Sequence, residues 1–144
     1  MEQRRITVVT DSSAYIPESA SEGLDISVIP LWLIWDEGRF RDGVDIDPST
    51  FYQRLKESKT LPTSSQPSAG EFEAFFRQVA AKADAIVSVL VSRKISGAIA
   101  SAEAAQAELP HLAIRIVDSY SSSMGLGLVA LAAAYLGKAR LIDN

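Results

Sequence analysis

The sequence predicts an α/β fold built on a parallel sheet, and three strand–turn–helix units support that prediction. Each unit has an apolar run, then a polar turn that contains serine, then a helical stretch. The runs are Ile6 to Thr10, Ala85 to Val91 and Ala113 to Val117. Continuous apolar strands are typical of parallel sheets that are covered on both faces. Right-handed crossovers would bring all three polar turns to the carboxyl edge of one sheet.

Composition limits the class of protein. The chain of 144 residues, 47% hydrophobic and 22% charged, is long enough for one globular domain with a core. A net charge of −4 with no basic stripe argues against nucleic-acid binding. The chain has no cysteine, so no disulfide or cysteine metal site is expected, and a cytoplasmic location is compatible with this. No signal peptide is visible from Met1 to Arg5, and the apolar runs 26–35 and 124–136 are shorter than the about 20 residues that span a bilayer.

The first strand stops at Asp11, Ser12 and Ser13, and Pro17 then opens a short helical turn. Open α/β sheets bind ligands outside the carboxyl ends of their strands. A polar side chain at the start of a turn also serves as a cap. The sequence therefore leaves two alternatives open for Asp11 and Ser12, ligand contact or capping.

The second apolar run, residues 26–35, is interrupted by Pro30. Because proline cannot donate a hydrogen bond to a neighbouring strand, this run is predicted to be an edge strand or a strand with a break. Residues 36–38 are predicted to form a hairpin turn and residues 39–41 the returning strand.

Three carboxylates at short spacing follow the hairpin, namely Asp42, Asp45 and Asp47. A calcium loop needs more oxygen ligands and a closing glutamate, so we expect no metal site here. Asp47 is instead predicted to cap a helix with Pro48 in its first position and its end near Ser58. The residues that this helix is expected to bury are Phe51, Tyr52 and Leu55.

Two hydroxyl-rich loops form the centre of the predicted site. The first, Thr63 to Ser68, precedes a helix that reaches about Lys82 and has Phe72, Phe75, Phe76 and Val79 on one face. The second, Ser92 to Gly97, precedes an alanine-rich helix that ends near Leu109. Hydroxyls and the free N–H groups of a helix start can bind an anion. We expect the two loops to converge on one, although serine-rich turns also serve simply as helix caps.

The last predicted helix, Met124 to about Gly137, has almost no polar face. A helix that is apolar all round is normally buried on all sides. One small sheet covers only one side, so the outward face is expected to meet either a second domain or another copy of the chain.

Enzyme signatures are weak. The sequence has no Gly-x-Ser-x-Gly elbow, no phosphate-binding P-loop and no Gly-x-Gly-x-x-Gly fingerprint. Its single histidine, His111, is predicted at the amino end of a strand, opposite the serine turns. We therefore assign no catalytic residue and no cofactor. An alternative is an enzyme or sensor that binds a small phosphorylated or carboxylated ligand at the serine turns. A third possibility is an interaction module that dimerises through its last helix.

Several short motifs together suggest a family. They lie, in order, at residues 9–12, 28–31, 41–46, 51–55, 63–68, 95–97, 117–119 and 125–127. The most specific are Ser65-Gln66-Pro67-Ser68 and Ile95-Ser96-Gly97. In these motifs and in their order, the chain resembles the DegV family of fatty-acid-binding proteins, which includes the FakB subunits of bacterial fatty acid kinase.

The resemblance implies a three-layer, parallel-sheet sandwich of DegV type with a β-hairpin or edge-strand insertion. Residues 1–144 would be the amino-terminal domain, and the family's second domain would be absent. It also implies that the fatty acid carboxylate is held by Ser64, where the family has threonine, and by Ser96 with the Gly97 amide. The residues expected around them are Thr63, Ser65, Asp11, Ser12 and Ser119.

One departure from the family concerns packing near the head group, because Ala98-Ile99 stand where the family has Thr-Tyr. In the family, a histidine and an arginine of the second domain complete the head-group contacts. No residue of this chain corresponds to them.

The resemblance implies a carrier rather than a catalyst. Such a protein presents its fatty acid to a separate ATP-using kinase, which makes acyl phosphate for phospholipid synthesis. Burying about 14 methylenes at roughly 0.8 kcal/mol each gives an upper limit near 11 kcal/mol, before the costs of association. The tail would therefore supply most of the affinity, and the serines would orient the carboxylate.

Overall fold

A computed structural model describes residues 4–142, with side chains as far as Lys138. Residues 1–3 and the final Asp143 and Asn144 lie outside the described residues, as do the predictions made there about a signal peptide and the end of the chain. A four-stranded parallel sheet occupies the centre of the fold, which confirms the predicted α/β class. Its strands, in spatial order, are β2 (Ile26–Ile29), β1 (Ile6–Asp11), β6 (Ala85–Leu90) and β7 (Ile114–Asp118).

A second, antiparallel sheet has three strands, with β3 at its centre. These strands are β3 (Trp32–Trp35), β4 (Gly38–Arg41) and β5 (Thr63–Ser65). Both alternatives predicted for the run around Pro30 hold, because β2 is an edge strand and the chain breaks at Pro30 before entering β3. The hairpin turn is one residue shorter than predicted, since Gly38 already pairs with Trp35.

Residues 4–142 form five α-helices, and the starts of two of the longer ones follow local capping rules. Asp47 accepts a hydrogen bond from the Thr50 N–H at 2.9 Å, so it caps the predicted helix that opens with Pro48. Ser68 and Glu71 form a reciprocal capping box at the next long helix. The helices are α1 (Glu18–Ser21), α2 (Pro48–Glu57), α3 (Ala69–Ala80), α4 (Ala98–Ala107) and α5 (Ser123–Ile142).

The parallel sheet lies between two layers of helix that cover it unequally. Helices α3 and α4 pack together on one face, where Phe72, Phe76 and Ile99 are fully buried. Helix α5 alone covers the other face, over β1 and β6. The edges of that face stay open, because Val28 of β2 is 47% exposed and Val117 of β7 is 37% exposed.

The hairpin unit, which we define as β3, β4, β5 and α2, has a small core of its own around Trp35. Trp35 is fully buried, contacts the Phe51 ring edge-on at 5.4 Å and lies 4.7 Å from the Arg54 guanidinium. The prediction that α2 buries Tyr52 is wrong, since this side chain is 61% exposed, and Phe51 and Leu55 are only half-buried. The small sheet does not extend beneath Tyr52.

Helix α5 packs against the sheet through a narrow line of residues. Leu126, Ala130 and Ala134 recur every fourth position and are buried. The helix runs past the predicted end at Gly137 to Ile142. Its exposed apolar side chains are Met124, Leu128, Val129, Tyr135 and Leu136. Within residues 4–142, no helix has both the length and the apolar character needed to cross a bilayer.

Enlarging a residue on the buried line of α5 should destabilise the fold. Ala130 is 0% exposed, so Ala130→Leu would overpack the contact with β1 and should lower the free energy of unfolding by about 1–3 kcal/mol. The matched control is Ala132→Leu on the exposed side of the same helix, which should change it by less than about 0.5 kcal/mol. Urea unfolding followed by circular dichroism measures both, and equal effects would contradict this packing.

Candidate functional site

The carboxyl edge of the parallel sheet gathers the polar turns, as the sequence predicts. Strands β1, β6 and β7 are neighbours, so the turns that follow them lie side by side. The second and third turns are joined directly, because the Ser92 N–H donates to the Ser121 carbonyl at 2.9 Å. The Ser119 N–H also donates to the Leu90 carbonyl at 3.2 Å. This edge is the candidate site.

Asp11 ties the first turn to the second. Its side chain is fully buried, and one carboxylate oxygen accepts the Val91 N–H at 2.8 Å. The other oxygen accepts the Ser13 N–H at 3.0 Å, which caps the turn Ser12–Ala14. Burial raises the pKa of Asp11, and the hydrogen bonds from Ser13 and Val91 offset part of that rise. Of the two alternatives for Asp11, capping is the one observed.

Ser12 fixes the same turn to the chain between the two sheets. Its hydroxyl oxygen accepts the Leu31 N–H at 3.0 Å, and the residue is 9% exposed. Ser12 and Asp11 therefore hold the loops of the edge in place, and their acceptor atoms are engaged within the chain.

The first hydroxyl loop is partly a strand. Thr63, Ser64 and Ser65 form β5 and pair with Ile34, Leu33 and Trp32 of β3. Thr63 and Ser64 are exposed and Ser65 is half-buried. Within residues 4–142, the Ser64 hydroxyl makes no hydrogen bond, so it remains available to a ligand.

The second hydroxyl loop begins α4. The Ser96 oxygen accepts the Ala98 N–H at 3.1 Å, which leaves the hydroxyl hydrogen free to donate. The Gly97 N–H has no acceptor in the described part of the chain. Ala98 and Ile99, where the chain departs from the DegV pattern, are both 0% exposed and fill the main core.

The two loops meet where Gln66 lies against Gly97. A Cβ built on Gly97 would be 2.8 Å from Nε2 of Gln66 and 3.2 Å from its Cδ, so the Gln66 amide can lie this close only while Gly97 carries no side chain. The predicted convergence of the loops is thus seen in the structure. That Ser64 and Ser96 bind a carboxylate together stays a prediction.

Sequence reasoning did not single out Gln66 as a site residue. Its amide group stands over the start of α4 and makes no side-chain hydrogen bond among the described residues. The available signal was its position within the most specific motif, Ser65-Gln66-Pro67-Ser68.

Ser119 on the third turn is used internally. Its hydroxyl accepts the Ser121 N–H and donates to the Ser121 carbonyl, each at 3.2 Å. The neighbouring Asp118 accepts a hydrogen bond from Arg93 at 3.2 Å. The third turn therefore supports the second one, and no free hydroxyl of Ser119 faces outward.

Two cavities lie near this edge. One, an open groove of about 240 Å³, lies between α3 and the strands beside it, with Ile29, Trp32, Pro67 and Phe75 in its walls. The indole N–H of Trp32 donates to Glu71 at 2.8 Å and joins the hairpin unit to α3 there. The other cavity, of about 280 Å³, lies beside Asp11 and Ser12 and is lined by Tyr15, Val28 and Asp42 among others.

The three carboxylates after the hairpin point in different directions. Asp45 pairs with Arg41 at 2.8 Å, and hydrogen bonds from Arg41 lower the pKa of Asp45 to about 2. Asp47 caps α2, whereas Asp42 is buried in the wall of the 280 Å³ cavity. Among residues 4–142, no cluster of three histidine, cysteine, aspartate or glutamate side chains could hold a metal.

His111 is exposed and precedes β7, at the opposite edge of the sheet from the serine turns. This is the position that the sequence predicts. The geometry therefore separates the histidine from the candidate site by the length of the strands.

Replacing the buried carboxylate that ties the edge should weaken the fold. In Asp11→Asn the Val91 N–H loses its charged acceptor, so the free energy of unfolding should fall by about 1–3 kcal/mol. Ser13→Ala, which leaves the bond to Val91 in place, is the milder control.

The deficit of Asp11→Asn relative to wild type should depend on pH. The pKa of Asp11 is higher in the folded state than in the unfolded state, so protonation of Asp11 stabilises the wild-type fold. This stabilisation is complete below the unfolded-state pKa of about 3.9 and is lost as pH rises through the folded-state pKa. Asparagine does not titrate, so the difference in free energy of unfolding between wild type and Asp11→Asn should grow as pH is lowered from neutral. Urea titrations at several pH values measure it, and a shrinking deficit would contradict the assignment.

Comparison with known proteins places the chain in a family. The family described as "Uncharacterised protein, DegV family" matches residues 5–139. Protein DegV of Bacillus subtilis is 38% identical over 133 residues, which are 92% of this chain and 47% of that protein. A DegV domain-containing protein of Listeria innocua is 37% identical over 136 residues, which are 94% of this chain and 48% of that protein.

Solved structures agree with the sequence comparison. The fatty-acid-binding protein DegV of Bacillus subtilis has a TM-score of 0.89 and 38% identity, over 94% of this chain and 48% of that one. A DegV family protein of Thermus thermophilus, described by its fatty acid binding, has a TM-score of 0.82 and 34% identity, over 96% of this chain and 51% of that one. A stearic-acid-binding protein of Eubacterium ventriosum has a TM-score of 0.85 and 26% identity, over 93% of this chain and 48% of that one. The chain spans about half the length of these relatives, and it belongs to the DegV family.

Proposed function

We propose that this chain is the amino-terminal domain of a DegV-type, cytoplasmic lipid carrier. It binds a long-chain fatty acid and presents the carboxylate to a partner kinase without catalysing a step itself. The observation that carries this proposal is the likeness to structures described by fatty acid binding, at 34–38% identity over 94–96% of the chain. The meeting of the two serine loops at Gly97 supports it.

The head-group site uses neutral donors. Ser96 has a free hydroxyl hydrogen because its oxygen is engaged by Ala98, and the Gly97 N–H points out of the start of α4. Ser64, on β5 of the other hydroxyl loop, is the proposed third donor. A hydrogen bond to a charged partner is worth roughly 1.5–3 kcal/mol. Together with the positive end of the α4 dipole, these groups favour a carboxylate without adding a cation.

The tail supplies most of the affinity. The cavity of about 240 Å³ between α3 and the strands is apolar where Ile29 and Phe75 line it. Sites for drug-sized ligands typically enclose roughly 300–1,000 Å³, which is more than this cavity offers. A long acyl chain therefore needs the space between α3 and the strands to widen, or a further surface to cover the part of the chain that protrudes. Each methylene buried there contributes about 0.8 kcal/mol.

The competing function is an enzyme or sensor for a small phosphorylated or carboxylated ligand at the same turns. Mass spectrometry of the protein as purified separates the two. A co-purified long-chain fatty acid supports the carrier, whereas a polar ligand, or turnover of one, contradicts it.

Removing the Ser96 hydroxyl should weaken fatty acid binding. Ser96→Ala loses one charge-assisted hydrogen bond, so the dissociation constant should rise at least several-fold, and Ser64→Ala should act in the same direction. Ser64→Thr keeps the hydroxyl and should preserve binding. Displacement of a fluorescent fatty acid measures the constants, with Ser122→Ala on the exposed third turn as control. Unchanged affinity in Ser96→Ala would reject its head-group role.

The outward face of α5 is the proposed contact with a second copy of the chain. Leu128 is 62% exposed and Leu136 is 69% exposed on this face, which is a large apolar surface to leave in water. We expect light scattering to find a dimer, and Leu128→Glu with Leu136→Glu to yield a monomer. Ala104→Glu with Ala107→Glu, on the exposed side of α4, adds the same two charges and is the matched control. A monomeric wild-type chain would contradict self-association.

A further inference from the structure

We propose that the cavity beside Asp42 is a docking pocket for an arginine side chain of another protein. This Asp42 pocket, of about 280 Å³, lies between the turn after β1 and the loop after β4. It is separate from the serine loops, and the inference does not depend on lipid binding.

Asp42 is recessed, and its carboxylate has no cation beside it in the described part of the chain. The residue is only 8% exposed, and no ion pair reaches it from the described part of the chain. Its polar neighbour is the Tyr15 hydroxyl. A recessed carboxylate that opens into a pocket, with no cation beside it, can accept charge-assisted hydrogen bonds from an incoming cation.

The backbone holds Asp42 in this position. Its N–H donates to the Leu31 carbonyl at 2.9 Å, and the Gly43 N–H donates to the Ile46 carbonyl at 3.0 Å. Gly43 adopts a φ of 76°, in the region that favours glycine. The backbone of the loop is therefore fixed at both ends.

Two carboxylates line the pocket. Asp11 accepts hydrogen bonds from backbone N–H groups of the described chain, and Asp42 does not. The Asp11 oxygens accept from Ser13 and Val91, and the Ser12 oxygen accepts from Leu31. No lysine or arginine lines the pocket. A calcium or magnesium ion needs about six oxygen ligands, and one free carboxylate does not provide them.

The walls of the pocket suit the hydrocarbon stem and planar head of arginine. Tyr15 is 54% exposed, Val44 is 59% exposed and Val28 is 47% exposed around the recessed carboxylate. Arginine packs its methylenes on apolar walls and stacks its guanidinium on aromatic rings. The same chain already does this twice, with Arg39 lying 4.5 Å from the Trp32 ring and Arg54 lying 4.7 Å from the Trp35 ring.

The surroundings favour a protein as the source of the arginine. Tyr52 is 61% exposed and close enough to Tyr15 to influence its pKa. Burial raises the pKa of Tyr15, and the charge on Asp42 raises it further, so the hydroxyl stays protonated at neutral pH. Exposed tyrosines around a recessed charge are typical of the energetic centre of a protein interface.

The first test uses a capped amino acid as the probe. N-acetyl-arginine methylamide is titrated into the ¹⁵N-labelled chain, with the uncharged isostere N-acetyl-citrulline methylamide as the control probe. We expect saturable amide shifts at Tyr15 and residues 42–44 for the arginine probe alone. The shifts should weaken at least several-fold in Asp42→Asn and persist in Glu37→Gln, which removes an exposed charge of the same sign.

The second test is the melting temperature without probe. If the Asp42 side chain has no structural role within the chain, Asp42→Asn should leave the melting temperature unchanged. A lower melting temperature would make Asp42 a structural residue and overturn the proposal. Equal shifts with the citrulline probe, shifts outside the pocket, or no saturable shift up to about 20 mM would overturn it as well.

Discussion

The hydrogen bond from the Val91 N–H to the buried carboxylate of Asp11 is the interaction on which the candidate site depends. It joins the ends of β1 and β6, which lie 80 residues apart in the chain. Ser12 extends the same junction to Leu31, where the chain leaves the parallel sheet for the hairpin unit. Because Asp11 is fully buried, its desolvation is offset only while these donors stay in place. The geometry of the edge and the stability of the fold are thus coupled.

The fold places its two specific features next to this junction. The serine loops meet at Gln66 and Gly97, where the hairpin unit approaches the start of α4. The Asp42 pocket lies between the turn after β1 and the loop after β4, and Asp11 and Ser12 are part of its wall. A ligand head group and a docked protein would therefore lie along one edge without competing for the same atoms.

Local signals in the sequence predict much of this structure. The apolar runs identify β1, β6 and β7, and the pair Asp47 and Pro48 identifies the start of α2, because strand pattern and capping depend on neighbouring residues. Predictions that require knowledge of distant partners were less accurate. Tyr52 is exposed because the sheet beneath α2 is small. Thr63 to Ser65 form a strand only because β3 offers its free edge.

The sequence by itself determined the parallel α/β class, the membership of the DegV family and the order in which serine turns follow the strands. Only the tertiary structure decided which polar groups are engaged and which are free. Among the described residues, Asp11 and Ser12 have partners within the chain, whereas Asp42 faces a pocket with no cation beside it and the Gln66 amide lies over Gly97 without a hydrogen bond. The reason is physical: a buried polar atom is satisfied by whichever donor the fold brings within hydrogen-bonding distance, and sequence spacing does not specify that donor.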